Sequence, residues 1–587
     1  MDKKNTVLGI LFRGQVALNS FHDGKMIGCQ GLSVQAGQRG PKLLQDVSAS
    51  FPEGHLNALV GPSGCGKTTL LKAFLGLVAS EGGFSLANQS KKPGQAPASD
   101  LAFVPQFSVA HDGLGVEESL RYAYKLTVRE NREGEATIAR ILQQTGLEEH
   151  RAKLVSDLSG GQTRRLGLAL ELVGNPRCLL CDEVTSGLDP LSEDRILALL
   201  RSIVDSQGKT VLCTIHNLGK LPDFDHITVL YEGRLVFQGD FPSLQRWFGI
   251  EDPLRLYHAL DGKEPGHWVE RWEAEGVALP ESKDAAIREH TPETPPVASI
   301  PAARPGAFSQ LVTLLHRRYR LLLRDTGYLW LLLALTIGFP CIVVIFAIKG
   351  LPQIEGLSLQ RSGSFIQQLQ GDLRYQMEAA ETATLVTGLV MFQVVLLTLM
   401  GANNGSREIA AERRIFEKER LKGLRCWVYG LAKLVFTGSI ALVQGLWMAL
   451  FVKVVCQFPG AYFPQLSMMA LCCIAMTFVC LGLSAVLSSA ERASLLGIYL
   501  VGFQLPLSGV VLALPDAVVW ILRPLINAYW SWAGYFGSMK DYQVFDAYRM
   551  GELSWLPGPW PAAIALLLHI ALGVALVLFG VRRRRWN

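Results

Sequence analysis

The sequence predicts an α/β domain followed by an all-α membrane domain of six helices. Two observations support this. Residues 1 to about 325 mix charged, polar and apolar residues as soluble proteins do, and residues 55–78 read as strand, glycine-rich loop and helix. From Tyr328 onward the chain contains apolar runs of about 20 residues, the length that crosses ~30 Å of hydrocarbon. At 587 residues the chain is also too long for one compact domain.

The glycine-rich loop, GPSGCGKTT at residues 61–69, fits G-x-x-x-x-G-K-[ST] without a gap. HLNALV before it and LLKAFLGLV after it provide the strand and helix that this motif requires, which disfavours a chance match. In such loops backbone N–H groups surround phosphates, the lysine contacts the β and γ oxygens, and the next hydroxyl binds Mg²⁺. The predicted nucleotide-binding residues are Gly61, Pro62, Ser63, Gly64, Cys65, Gly66, Lys67, Thr68 and Thr69.

A second apolar strand, CLLC, ends in the carboxylates of Asp182 and Glu183. A carboxylate at a strand end beside a phosphate loop holds Mg²⁺ in other P-loop enzymes, which is the role predicted for Asp182. Glu183 is directed to the other side of the backbone, where it is placed to accept a proton from an attacking water. The same strand carries Cys178 and Cys181. Without a second CxxC or a His pair, a buried strand is a better interpretation of them than a metal or redox site.

Four more motifs follow the loop in order: Gln106 in AFVPQF, LSGGQ at 158–162, SGLD at 186–189, and His216 in VLCTIH. Together with the loop and LLCDE, they resemble the ATP-binding domain of ABC transporters over roughly residues 27–245. The resemblance implies that Gln106 links Mg²⁺ and water to the membrane domain, and that His216 contacts the γ-phosphate. By the same resemblance, Mg²⁺ would be held by Thr68, Gln106 and Asp182. The catalytic residues would be Gln106, Glu183 and His216. Asp189 would bind nucleotide.

The resemblance also explains why one domain carries a second glycine-rich motif. In this family two domains pack head to tail, and the signature of each covers the ATP held by the other. Ser159, Gly160, Gly161 and Gln162 would complete the nucleotide site of a partner, which implies a homodimer or a heterodimer with a related half. Two departures are Val184, where Pro is usual, and the absence of any Phe, Tyr, Trp or His in residues 25–48 to stack on adenine.

The predicted domains are an N-terminal extension (1–26), the ATP-binding domain (27–261), a Pro-rich linker (262–306), an interfacial connecting helix (307–327) and the membrane domain (328–587). The linker is inferred from seven prolines in residues 262–305. The six predicted spans are 328–348, 382–402, 428–452, 466–488, 494–513 and 560–580. The fifth contains Gln504, Pro506 and Ser508, and is also compatible with a kinked or re-entrant helix.

Charge distribution predicts the orientation. The loop 403–427 has seven Lys or Arg residues and the tail reads RRRRWN, whereas 349–381 and 514–559 have three each. The positive-inside rule therefore places both termini and the ATPase in the cytoplasm, with the chain crossing the plasma or bacterial inner membrane several times. The opening apolar run is too short for a signal peptide. The net charge of +5 is small for a chain of 587 residues and does not indicate the basic surface typical of nucleic-acid-binding proteins, so no nucleic-acid partner is expected.

The loop 403–427 carries Glu408, Glu412 and Glu419 at helical spacing and resembles the loop of G-type (white/breast-cancer-resistance-like) ABC half-transporters. By that resemblance it rests on the ATPase and transmits its closure. Residues 514–559 contain no cysteine, unlike animal G-type pumps, which favours a bacterial relative. The expected function is ATP-driven export of a hydrophobic or amphipathic substrate, a lipid, glycolipid or small molecule. The alternative is a non-transport ATPase that regulates or anchors a membrane complex.

Four polar residues inside predicted spans are candidates for a substrate path, because polar groups are costly in hydrocarbon. The alternative for each is a structural role, in which the side chain forms an interhelical hydrogen bond worth about 1 kcal/mol. These residues are Gln393, Gln444, Gln504 and His569.

Overall fold

The computed structural model confirms an α/β domain followed by a helical domain. It divides into two compact units. The first holds the described residues up to Gly306 together with Lys418–Leu424, and the second holds the other described residues. The described residues are 25–37, 40–86, 89–91, 101–106, 110–128, 133–275, 305–348, 365–508, 510, 515–542, 545, 548 and 556–583.

The first unit contains two sheets. The six-stranded sheet has the order β10-β9-β3-β8-β7-β6, in which all strands but β10 run parallel. Its strands are β3 (Leu56–Val60), β6 (Leu101–Val104), β7 (Cys178–Cys181), β8 (Thr210–Thr214), β9 (His226–Tyr231) and β10 (Arg234–Gly239). The antiparallel sheet has the order β2-β1-β4-β5 and consists of β1 (Lys25–Gln35), β2 (Lys42–Pro52), β4 (Glu81–Leu86) and β5 (Gln89–Lys91).

Eight helices accompany these sheets in the described residues, and several carry clear end signals. Helix α5 begins after Asp189, which caps it, has Pro190 in its first turn and ends at Gly208 in the left-handed conformation. The eight are α1 (Lys67–Phe74), α2 (Val116–Thr127), α3 (Gly134–Gln144), α4 (Gly160–Leu172), α5 (Pro190–Gln207), α6 (Phe241–Phe248), α7 (Leu256–Asp261) and α8 (Pro265–Glu275).

Helix α8 corrects the predicted start of the linker at residue 262. Trp268 and Trp272 lie four residues apart on this helix, so they share one face. Trp268 is buried with its ring centroid 4.9 Å from that of Phe248, and Trp272 packs at 5.7 Å from Trp247. Packing of these aromatic side chains extends the folded domain to Glu275. The rest of the predicted linker, 276–304, and the predicted extension up to residue 24 lie outside the described residues.

In the described part of the second unit five helices are long and apolar enough to cross a membrane: Thr326–Ala347, Ala380–Gly405, Cys426–Cys456, Tyr462–Val486 and Pro559–Arg582. They agree with five predicted spans to within a few residues. The α-helices among the described residues of this half are α9 (Ala307–Arg324), α10 (Thr326–Ala347), α11 (Phe365–Gly405), α12 (Arg413–Leu421), α13 (Cys426–Cys456), α14 (Tyr462–Val486), α15 (Ala490–Gln504), α16 (Asp516–Leu522), α17 (Asn527–Gly537) and α18 (Pro559–Arg582).

Within the predicted fifth span, 494–513, the helix is interrupted, which agrees with the kinked alternative. Residues 509 and 511–514 lie outside the described residues. Helix α15 has 15 residues and ends at Gln504, before a 3₁₀ turn over Pro506–Ser508. Proline lacks the N–H that a continuing helix needs. The Gln504 side chain instead accepts a hydrogen bond from the backbone N–H of Ala528 at 2.9 Å, which ties the end of α15 to the start of α17.

Small residues allow close packing in the second unit. A Cβ on Gly405 of α11 would lie 2.3 Å from the Thr477 carbonyl oxygen of α14, and one on Gly580 of α18 would lie 2.6 Å from the Ala485 backbone. Such contacts are typical of helices that pack within membranes. Near the same end of α14 and α18, the Arg413 guanidinium donates to the carbonyls of Ala485 and Gly580, which anchors α12 there.

Candidate active site

Four predicted site segments follow parallel strands at one edge of the six-stranded sheet. The phosphate loop follows β3, Gln106 lies two residues after β6, Asp182 directly follows β7, and His216 lies two residues after β8. These four strands are neighbours in the order β3-β8-β7-β6. In open α/β sheets ligands bind outside the carboxyl ends of the strands. The fold therefore brings the predicted residues to the edge where a ligand would bind.

The phosphate loop depends on glycine at three positions. Gly61, Gly64 and Gly66 have φ values of 152°, 83° and 101°, in a region that other residues rarely adopt. A Cβ on Gly61 would lie 2.1 Å from the Leu230 carbonyl oxygen of β9. The loop thus presses against the neighbouring strand, and its conformation suits a cradle of backbone N–H groups.

Lys67, at the start of α1, is buried beneath this loop. Its Nζ donates to the Gly61 carbonyl at 2.7 Å and to the Pro62 carbonyl at 3.0 Å. Nζ also lies 4.0 Å from Cys65 Sγ. All three partners are uncharged groups, which an anion such as phosphate can replace. This placement agrees with the predicted role of Lys67 in holding phosphate.

Asp182 connects the ends of three elements. Its Oδ1 accepts from the Thr68 hydroxyl at 2.9 Å and from the Thr214 hydroxyl at 3.1 Å. Burial raises the pKa of this carboxyl, although the two hydroxyl hydrogen bonds act in the opposite direction. A nearby cation would favour the carboxylate form.

The residues present fit Mg²⁺. Thr68 and Asp182 offer oxygen ligands, and Mg²⁺ is commonly bound by one or two carboxylates together with substrate phosphates. Among the described residues no group of three or more His, Cys, Asp or Glu side chains could hold a metal alone. The site therefore suits a metal that arrives with a phosphate ligand. Gln106, the third predicted metal ligand, directs its amide nitrogen to Glu183 in this structure.

Glu183 lies between the other two predicted catalytic residues. Its Oε2 accepts from Gln106 Nε2 at 2.8 Å, and its Oε1 lies 2.6 Å from His216 Nε2. The backbone of Glu183 is left-handed, with φ 49°, and its N–H donates to the Thr214 hydroxyl at 2.7 Å. A non-glycine residue in this conformation is uncommon and persists only where its surroundings hold it. The structure thus brings Gln106, Glu183 and His216 together, and their catalytic roles remain predictions.

The LSGGQ segment forms the start of α4. Ser159 caps the helix, and Gln162 completes a capping box: Ser159 N donates to Gln162 Oε1 at 3.0 Å, and Gln162 N donates to Ser159 Oγ at 3.4 Å. A Cβ on Gly161 would lie 3.1 Å from Ser192 Oγ, at the start of α5. Asp189 caps α5 by accepting from Ser192 N at 2.9 Å. Hydrogen bonds from the side chain and then from the backbone of Ser192 lower the pKa of the Asp189 carboxyl.

The two glycine-rich motifs have separate partners. Among the described residues no hydrogen bond or ion pair joins residues 61–69 to residues 159–162. The phosphate loop contacts the ends of β7 and β9. The signature contacts the start of α5 and, through Gln162, His150 in the segment that precedes α4. The nucleotide-binding roles of Ser159, Gly160, Gly161, Gln162 and Asp189 remain predictions.

Sequence reasoning missed Tyr257, on α7. Its hydroxyl donates to the Gly61 carbonyl at 3.1 Å, the same oxygen that accepts from Lys67. Burial raises the pKa of Tyr257 to about 12, so the hydroxyl remains a donor at neutral pH. No local pattern links a tyrosine in RLYHAL to a loop almost two hundred residues earlier. Thr214, which donates to Asp182, was also missed, but it could have been found because it stands two residues before His216 in the motif VLCTIH.

Replacing Tyr257 with Phe is expected to weaken nucleotide binding about fivefold, the size of one lost hydrogen bond. Without the hydroxyl the Gly61 carbonyl depends on Lys67, which must leave it to reach phosphate. Equilibrium binding of a fluorescent ATP analogue would measure the effect. Tyr231→Phe is the matched control, because its hydroxyl bonds to Asp261, 3.3 Å away at the surface. Equal affinities for the two variants would contradict a role for Tyr257 at the loop.

Two family descriptions match the chain in succession. "ABC transporter" covers residues 44–186, and "ABC-2 type transporter" covers residues 309–536. The first match contains the phosphate loop, the signature and both acidic residues after β7. The second covers the helices from α9 to most of α17. The predicted resemblance to ABC transporters is confirmed.

Individual relatives give the same result. The ABC transporter ATP-binding/permease protein Rv1747 of Mycobacterium tuberculosis is 28% identical over 573 residues, which is 93% of this chain and 61% of that protein. The iron(3+)-hydroxamate import ATP-binding protein FhuC of Bacillus subtilis is 33% identical over 34% of this chain and 76% of its own length. ABC transporter G family member 7 of Arabidopsis thaliana is 35% identical over 34% of this chain and 29% of its own length.

Proposed function

We propose that this chain, which belongs to the ABC transporter family, hydrolyses ATP as a dimer and uses it to export a hydrophobic or amphipathic substrate across the plasma or bacterial inner membrane. The order of its two domains fits the G-type half-transporter. The observation that supports hydrolysis most directly is Glu183, whose two carboxylate oxygens contact Gln106 and His216 at the edge where the phosphate loop lies.

In the proposed reaction Glu183 takes a proton from water while the water oxygen attacks the γ-phosphorus. The bond between the γ-phosphorus and the β–γ bridging oxygen breaks, which leaves ADP and phosphate. Gln106 and His216 hold the carboxylate in place from either side. Lys67 exchanges its loop carbonyls for phosphate oxygens. Mg²⁺, held by Thr68 and Asp182, would neutralise charge on the phosphates.

Coupling is proposed to pass through residues Lys418–Leu424, the short segment from the second half of the sequence that belongs to the first compact unit. Lys418 Nζ lies 2.9 Å from Glu171 Oε1 of α4, and Lys422 Nζ lies 3.1 Å from the same oxygen. Glu171 and Lys418 are buried, and burial lowers the pKa of Lys422 against the opposing influence of Glu171. Since α4 begins at the signature, this contact leads from the ATPase to the loop that precedes α13.

Glu408 and Glu412, which the sequence analysis singled out in the loop 403–427, pair with basic residues of the second unit. Glu408 accepts from Arg318 at 2.7 Å and from Lys433 at 2.9 Å, and Glu412 accepts from Lys433 at 2.5 Å. This network lies within the second unit and joins the loop to α9 and α13. The lysines after it are therefore better candidates for transmitting closure than Glu412.

Glu171→Gln is expected to release the Lys418–Leu424 segment, because removing one partner of a buried ion pair costs about 3–5 kcal/mol. Amide hydrogen exchange over residues 418–424 should accelerate. Glu53→Gln is the matched control, since its pair with Arg177 is exposed and worth about 0–1 kcal/mol. Unchanged exchange in the Glu171 variant would exclude this pair as the attachment.

The membrane half supports an apolar or amphipathic substrate. Gln444 accepts from Asn404 at 2.7 Å and donates to Thr336 at 3.3 Å, so it joins three helices. Gln504 links α15 to α17, and His569 Nδ1 lies 2.9 Å from the Ala565 carbonyl oxygen of its own helix. These contacts favour structural roles for three of the four polar candidates. Gln393 is fully buried, and its side-chain amide has no hydrogen-bond partner among the described residues.

ATPase assays of the full chain in nanodiscs, against a panel of lipids and small amphiphiles, test the proposed function. Hydrolysis stimulated by one substrate class, and lost in Glu183→Gln, is the expected result. Hydrolysis that no panel member alters would favour the regulatory alternative. Absence of any ATP hydrolysis in the unaltered protein would overturn the proposal.

A further inference from the structure

The signature segment is held by a turn that no sequence motif marks. This turn, residues 145–150, follows α3 and ends in a 3₁₀ helix over Glu148–His150. Arg165 of α4 donates to the Thr145 and Gly146 carbonyls at 3.1 and 2.9 Å. Gly146 has φ 62°, and a Cβ on it would lie 2.7 Å from the Arg165 guanidinium. The turn is therefore shaped to receive side chains from the first turns of α4.

A second side chain of α4 reaches the same turn one helical turn earlier. Gln162 Nε2 lies 2.8 Å from His150 Nε2. Because the Gln162 carbonyl oxygen accepts from Ser159 N, the amide nitrogen is the group that faces the imidazole. With this amide orientation His150 Nε2 is the acceptor and the ring proton lies on Nδ1, a buried atom that has no hydrogen-bond partner among the described residues. The Gln162 amide can therefore contact the imidazole through Nε2 and the Ser159 backbone through Oε1 at the same time.

We propose that His150 is a positioning residue for the LSGGQ signature and acts through Gln162. A histidine that accepts from Gln162 Nε2 keeps Gln162 Oε1 on the Ser159 amide. The capping box in turn orients Ser159 and the N–H groups of Gly160 and Gly161, which the resemblance to ABC transporters assigns to the nucleotide of a partner. His150 itself touches no reacting atom in this scheme.

The position of His150 in the chain implies a specific kinetic signature. The phosphate loop has its own partners and does not contact the turn at residues 145–150 among the described residues. Loss of the imidazole should therefore leave nucleotide capture by Lys67 intact. The step that depends on the signature, closure over bound ATP, should be slowed. Loss of the imidazole should therefore lower kcat and leave KM unchanged.

This inference rests on the proposed function for its kinetic part only. In the full chain, His150→Ala should lower kcat for ATP about fivefold, as for one lost hydrogen bond, with KM unchanged. Gln162→Ala should cause a similar loss, and the double variant should lose no more than either single one. His150→Gln, which places a carbonyl oxygen where Nε2 lies, should restore most of the rate. Multiplicative losses in the double variant, or a change in KM alone, would overturn the proposal.

Hydrogen exchange tests the positioning itself without hydrolysis. The Ser159 and Gln162 amides should exchange faster in His150→Ala than in the unaltered protein. Arg151→Ala is the matched control, because Arg151 directly follows the turn but its side chain pairs with Glu117 at 2.9 Å. Faster exchange with no ATPase activity in the unaltered protein would refute the proposed function and retain the positioning role. Unchanged exchange in His150→Ala would refute the positioning role, whatever the ATPase rate.

Discussion

Glu183→Gln is expected to bind ATP with unchanged affinity and to hydrolyse it about 10²–10⁴-fold more slowly, the usual cost of losing a general base. The amide preserves the shape of the side chain but cannot take a proton from water. Lys67, Thr68 and Asp182, which hold the nucleotide and its metal, do not contact the Glu183 side chain through any hydrogen bond of the described residues. Binding and single-turnover hydrolysis should be measured on the same preparation.

Glu193→Gln provides the control for this substitution. Glu193 lies on α5 and accepts from Asn217, the residue after His216, at 2.9 Å. A glutamine there can still accept that hydrogen bond, so little change in rate is expected. Turnover near the unaltered level in Glu183→Gln would remove Glu183 from its catalytic role. Loss of both binding and turnover would indicate that the carboxylate supports the fold of the site instead.

Much of the fold was predictable because its signals are local. Gly61 to Lys67 fits the phosphate-loop motif between a strand and a helix, and the apolar runs after Tyr328 have the length of a span. The capping residues Ser159 and Asp189 mark helix starts in the sequence itself. The predicted boundaries were wrong where packing or a single residue, and not local composition, sets the end of an element. Proline content placed the end of the first domain at residue 261, but the aromatic side chains of α8 pack on the domain and extend it to Glu275. Hydropathy predicted a span that continues past Gln504, but α15 ends there, before Pro506.

The site was predictable to the same degree. Gln106, Asp182 and His216 each stand at the end of a recognisable apolar strand, and parallel strands bring such ends together. Tyr257 and His150 were not predictable, because each acts through a single side-chain contact with a motif distant in sequence or on another element. In the loop 403–427, Glu408, Glu412 and Glu419 lie at helical spacing. Spacing alone could not tell which would meet Lys433 and which would meet Glu171.

Mixed dimers are expected to show that the phosphate loop of one chain works with the signature of another. Lys67→Ala disables the loop, and Ser159→Arg blocks the signature. Two differently tagged copies allow mixed dimers to be isolated. If sites are shared, pairing the two single variants places both lesions in one site and leaves the other site intact. A double variant paired with the unaltered chain then has one lesion in each site and no intact site.

Sites built within one chain predict the reverse order of activity, since the unaltered chain would keep a complete site in the second pairing. Both mixtures carry the same lesions in the same amount, so differences in expression or folding cannot produce the ranking. Trapping of nucleotide should be measured beside turnover, because one intact site need not sustain a full cycle. The separate partners of residues 61–69 and 159–162 favour the shared arrangement. Greater nucleotide trapping by the double-variant pairing than by the two single variants would show instead that each chain completes its own site.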